Sequence, residues 1–147
     1  MAMSNGGGKA GDVVLFLLRA GIGVMLCVYH GWGKLMGAAA YLFRGADWAM
    51  PQFVAADGLP FPAFFAVCAA LAESVGALLL AVGFKTRYAA AVVAMNMAVA
   101  VYHHARSDMK WEFALLYLLP VLLFVFVPPG RYSLDAVLGG RSGPKKK

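Results

Sequence analysis

The stretch from Phe61 to Gly83 is apolar and long enough to cross a membrane, and Glu73 sits in its middle. No other feature constrains the chain as strongly. A helix spans the hydrocarbon with about 20 apolar residues. An ionised carboxylate at that depth costs several kcal/mol, from about 2.5 upward depending on the scale. A chain keeps such a group when a partner neutralises it or a function needs it. The other apolar segments carry Arg19, His30, Asn96, His103 and His104 as candidate partners. The expected product is a small membrane bundle with a polar interior.

Composition agrees. The chain is 62% hydrophobic and 14% charged, with a mean hydropathy of +0.73. Soluble domains carry about 25% charged residues. Four spans can be drawn, at residues 13–36, 61–83, 86–104 and 111–127. The short links after Gly83 and His104 force antiparallel neighbours. The expected fold class is an all-α membrane protein: an antiparallel four-helix transmembrane bundle with a long loop between spans one and two. That loop, Gly37 to Pro60, holds Tyr41, Phe43, Trp48 and Phe53, and reads as an amphipathic or re-entrant segment. Residues 1–11 read as a disordered N-terminus, 12–138 as one domain, and 139–147 as a basic tail. The first apolar run is too long for a signal-peptide core and lacks a clean cleavage site after it, so it is expected to remain as a span.

Charge sets the expected orientation. Lys9, Lys85, Arg87, Arg131, Arg141 and the run Lys145 to Lys147 fall on one side. Lys34, Arg44, Arg106 and Lys110 fall on the other. The excess places both termini in the cytoplasm. The tail would meet anionic lipid headgroups. No basic face alternates with exposed aromatics, so nucleic-acid binding is not expected.

Depth along each helix, at about 1.5 Å per residue, groups the polar residues into two layers. Arg19, Glu73 and Asn96 form one, read as a charge pair bracketed by an amide. His30, Lys34, His103, His104 and Glu112 form the second, nearer the outside. Arg19 and His30 share a stripe at 100° per residue, and so do Asn96 and His103. Structural roles compete with functional ones throughout. Arg19 with Glu73 can fix helix register, and Lys34 and Glu112 can reach water past the interface.

These residue types suit a quinone-like ligand. Such a molecule is flat and apolar, its carbonyl oxygens need donors, and its reduction needs a proton source. Glu73 and His30 are the catalytic candidates. Arg19, Lys34, Asn96, His103, His104 and Glu112 are the ligand-binding candidates. A metal is not supported, since no HExxH or ExxH spacing occurs, and neither is a heme, although His30 and His103 could reach one. Cys27 and Cys68 form no CxxC and read as buried small hydrophobes.

Several segments also resemble the DoxX family of small four-span bacterial membrane proteins. Arg19-Ala-Gly-Ile-Gly with Tyr29-His-Gly-Trp-Gly-Lys34-Leu is similar to its first-span motif. Ala72-Glu73-Ser-Val-Gly76 with Val82-Gly-Phe-Lys-Thr-Arg87 is similar to its second. His103, Glu112-Phe-Ala-Leu and Pro129-Gly-Arg-Tyr-Ser-Leu-Asp135 complete the series, which runs from about Asp12 to Leu138. A relative is the small membrane subunit of an archaeal thiosulfate:quinone oxidoreductase, and other members are associated with redox complexes and oxidative-stress protection. The resemblance implies that Arg19, His30, Lys34, Glu73, His103 and Glu112 are family-type polar residues. The expected function is a quinone-interacting subunit or accessory of a membrane oxidoreductase complex, with a protein partner in that complex and possible self-association. Two alternatives stand beside it: a non-catalytic membrane scaffold or assembly factor, and a small anion or proton transporter.

Overall fold

The computed structural model describes residues 6–139. All the regular structure among them is helical. Helix α1 (Gly6–Leu26), a π-turn at Cys27–Gly31 and α2 (Trp32–Arg44) run on as one rod. Leu26 and Trp32, which flank the π-turn, both keep helical backbone angles. The 37 residues from Gly8 to Arg44 extend about 55 Å at 1.5 Å per residue, well beyond a hydrocarbon layer of about 30 Å.

Two expectations are corrected here. Residues 6–11 are helical, although their glycines pointed to disorder. Once a helix is nucleated, each added residue gains a hydrogen bond, and that extends it across weak formers. Residues 1–5 and the tail from 140 lie outside the described residues. The loop expected from Gly37 starts only after Arg44, where Gly45 adopts the left-handed conformation that ends α2.

The connector then forms α3 (Met50–Ala56), with Pro51 in the first turn, where a missing N–H leaves no helical bond unmade. Its ends are fastened to the helices. The Trp48 indole lies against Gly37, so close that a Cβ at Gly37 would sit 2.7 Å from Nε1. The Tyr41 ring packs beside it, 6.0 Å between centroids. Further on, Asp57 Oδ2 lies 2.8 Å from His103 Nδ1.

Helix α4 (Pro62–Leu71), a second π-turn at Ala72–Gly76 and α5 (Ala77–Val82) form another continuous rod. Helices α6 (Thr86–Arg106), α7 (Trp111–Phe126) and α8 (Leu134–Gly139) follow. The rods Gly8–Arg44 and Pro62–Val82 are long and apolar enough to cross a membrane. Helix α7 is equally apolar but shorter, with Pro120 inside it.

Helix α6 packs along α7, α1 along α5, and the two π-turns against each other. Leu26, Leu80, Val93, Met97, Val121 and Phe124 form the centre of the core. Glycine sets the closest approach. A Cβ at Gly23 would fall 2.5 Å from the Ala77 carbonyl oxygen, and one at Gly31 would collide with the backbone of Glu73 and Ser74. Small residues of this kind let membrane helices touch backbone to backbone. Outside the core, Leu17, Val28, Met95, Leu116, Leu119 and Phe126 are exposed. An apolar exterior on this scale marks a surface that meets lipid rather than water.

The turn between α5 and α6 is held from outside its own sequence. Gly83 takes φ +74, a left-handed conformation that glycine adopts freely. The Asp135 carboxylate on α8 then accepts the N–H of Lys85 at 2.7 Å, the N–H of Thr86 at 2.8 Å and the Thr86 hydroxyl at 2.7 Å. It supplies from a distance the N-terminal cap that α6 lacks locally. Burial pushes the Asp135 carboxyl up, but the Thr86 and Lys85 hydrogen bonds and the Arg19 charge outweigh it and hold the group below its ordinary value.

Candidate functional site

Glu73 sits on the second π-turn with its side chain only 3% exposed. Lys34, in the first turn of α2, places its ammonium 2.6 and 2.7 Å from the two carboxylate oxygens. Asn96 of α6 donates to Oε1 at 2.9 Å. A two-pronged ammonium contact with a further amide donor is a well-satisfied carboxylate. The sequence located the buried acid and its amide correctly. It chose the wrong cation.

Arg19 does not reach Glu73. Its guanidinium is fully buried and donates to the carbonyls of Leu80 and Ala81, each at 2.8 Å, and of Tyr132 at 2.7 Å. The first two are carbonyls of the last turn of α5, which carry the negative end of the helix dipole. Register explains the error. Rods α1–α2 and α4–α5 run antiparallel, with Gly23 opposite Ala77 and Gly31 opposite Glu73. Moving back from Gly23 to Arg19 on one rod moves forward to Leu80 on the other. Depth counted from the apparent start of each apolar run missed this, because the first rod begins earlier and ends later than the run implies.

Beside the ion pair lies a cavity of about 70 Å³. Its polar lining is His30, Lys34, Glu73, His104 and Tyr117. Leu26, Met97 and Phe113 supply apolar walls. His30 belongs to the first π-turn, so each π-turn contributes one polar residue where the two meet. π-Turns of this kind recur at functional sites because they turn side chains out of the regular helical stripe. The His30 and Tyr117 rings meet edge to face, 5.4 Å between centroids. His30 itself is exposed.

The remaining sequence candidates divide. His104 lines the cavity, and its Nδ1 is buried with no hydrogen-bond partner among the described residues. His103 turns away to Asp57 and packs against Phe53, 5.9 Å between centroids. It holds the connector and does not line the cavity. Glu112 is exposed in the first turn of α7, where a carboxylate suits the positive end of the helix, and it too stands outside the cavity. Arg19, expected as a ligand-binding group, belongs to the α5–α6 turn.

Three contributors were missed. Tyr117 looked like one more core aromatic on an apolar helix, with no distinguishing signal. Asp57, one of two acids in a mostly apolar connector, carried such a signal. Asp135 stood in a recognised motif without an assigned role.

The all-helical fold, the apolar exterior and the ion pair enclosed between two rods define a membrane protein with a polar interior site. The DoxX family model matches residues 14–105, more than half of the chain. The protein belongs to the DoxX family. The matched segment contains Arg19, His30, Lys34, Glu73, Asn96, His103 and His104, whereas Glu112, Tyr117 and Asp135 lie beyond it. No curated protein and no solved structure matches the chain.

Proposed function

We propose that the protein spans the bacterial plasma membrane four times with both termini in the cytoplasm, and that its cavity receives the carbonyl edge of a quinone-like ring. In this reading it works as a subunit or accessory of a membrane oxidoreductase complex. The spans are the rod Gly8–Arg44, the rod Pro62–Val82, α6 and α7.

The observation that carries the reading is charge balance at the cavity. Lys34 and Glu73 neutralise one another, and Arg19 is engaged by carbonyls elsewhere. Among the described residues lining the cavity, Lys34 and Glu73 are matched, so their charges do not draw an ion in. This favours a neutral ligand over the transported anion of the alternative reading. The polar groups around the cavity are those a quinone oxygen needs: the Lys34 ammonium and Tyr117 hydroxyl as donors, with Glu73 and His30 to hold protons.

Size divides the ligand. A dry cavity of about 150 Å³ takes a benzene ring, and this one is about 70 Å³. The oxygen enters while the ring stays outside, against the exposed His30 edge. Two electrons from a redox partner and two protons would then convert the quinone to the quinol.

The test is quinone content. Protein extracted in mild detergent is analysed by mass spectrometry beside Glu73→Gln and His30→Ala. The reading expects near-stoichiometric quinone that falls in both variants. Content equal to that of an unrelated four-span membrane protein overturns it.

A further inference from the structure

The strongest unexplained feature is the Nδ1 atom of His104. It is buried and has no hydrogen-bond partner among the described residues, yet its ring lines the cavity that holds Lys34, Glu73, His30 and Tyr117. A buried polar atom without a partner costs about 1–3 kcal/mol. One water needs roughly 10–15 Å³ and two to four polar neighbours. The cavity's 70 Å³ and its polar lining meet both conditions for more than one water.

We infer that this cavity is a hydration site in which ordered waters join His104 Nδ1 to the Lys34–Glu73 pair and form the proton path of the site. His104 is the positioning residue that anchors the waters. Its ring donates or accepts at Nδ1 according to tautomer, so it can face a water of either orientation. Along such a chain one proton is taken up at His104 Nε2 as one leaves Nδ1, each water gives one proton and takes one, and one proton arrives on the Glu73 carboxylate. The path starts on the side of the molecule where His103 and Asp57 fasten the connector, since His104 follows His103 on α6. The inference deepens the quinone reading, because an oxygen entering the cavity meets these waters.

The test does not need quinone. Hydroxyl radicals generated by an X-ray pulse form on bound water and oxidise the side chains next to it. Two methionines of α6 make an internal comparison: Met97 is buried on the cavity wall, and Met95 is exposed on the outer surface. The full chain, freed of quinone and held in lipid nanodiscs, should show Met97 oxidised faster than Met95 despite its burial. His104→Leu should lose that excess while Met95 stays unchanged, and His104→Gln, which keeps a hydrogen-bonding atom near the site, should restore part of it. Met97 labelled no faster than Met95 in the unaltered protein overturns the inference, whatever the variants do. Excess labelling that persists in His104→Leu overturns the anchoring role. A missing quinone with rapid Met97 labelling defeats only the quinone reading.

Discussion

Arg19 and Asp135 cap the two helix ends that meet at Gly83. The guanidinium takes the carbonyls of Leu80 and Ala81 at the end of α5, and the carboxylate takes the N–H groups of Lys85 and Thr86 at the start of α6. Each side chain comes from an element distant in sequence. A cation at a helix C-terminus and an anion at an N-terminus are the favourable placements for the backbone dipoles.

Arg19→Met leaves buried carbonyls unmatched. Hydrogen bonds to charged groups contribute about 1.5–3 kcal/mol each, so the loss should reach at least about 3 kcal/mol. Thermal unfolding in detergent should show a clearly lower midpoint, without any fall in the ligand binding of protein that remains folded.

Asp135 predicts an acid limb. Its carboxyl is held below the ordinary value of 3.8, so its contribution is complete above the unfolded pKa. Stability should decline as pH falls below 3.8 and the contribution should be gone once pH drops through the lower folded value. Asp135→Asn should be less stable than the unaltered protein at neutral pH and should lack this limb. Unfolding midpoints measured from pH 7 to pH 3 decide it, and parallel curves for the two proteins reject the assignment.

The Lys34–Glu73 pair should respond unequally to the loss of each partner. The Lys34 side chain is 30% exposed and the Glu73 side chain 3%. After Glu73→Leu, the lysine can turn its ammonium toward water. After Lys34→Met, the carboxylate keeps only Asn96, and breaking a buried pair in this way costs about 3–5 kcal/mol. Lys34→Met should therefore be the more damaging change, and the double replacement milder than it. Equal losses in the two single variants would contradict the burial difference.

Gly31 and Gly33 give a matched comparison. A side chain at Gly31 meets the backbone of Glu73, while one at Gly33 meets nothing within 4 Å. Gly31→Ala should separate the two π-turns and weaken both fold and cavity by about 1–3 kcal/mol, as overpacking does. Gly33→Ala should be neutral or stabilising by up to about 1 kcal/mol through helix propensity. Unfolding midpoints of the two variants, measured side by side, check the contrast.

The sequence made the apolar helices and Glu73 legible, because a charge inside a long apolar run has few explanations. Asn96 followed from its position midway along another apolar helix. The choice between Arg19 and Lys34 was not legible by depth, since it depends on which residues of two antiparallel rods lie opposite. Gly23 and Gly31 carried that register information, but only their contacts with Ala77 and Glu73 reveal it. The π-turns left no trace in the hydrophobic pattern, because a single widened turn looks like ordinary helix when almost every residue is apolar. His103 was found as a polar group, but its partner Asp57 lies in a connector where residue spacing does not fix position.

The matched charges of Lys34 and Glu73 also have an electrical meaning for a protein that spans a membrane. A unit charge crossing the full field exchanges about 2.3 kcal/mol per 100 mV. A neutral molecule that enters beside this pair and leaves again carries no net charge through the field. Occupancy of the cavity should then be the same in energised and de-energised membranes, and any voltage dependence must come from charges other than this pair, such as protons drawn from one side.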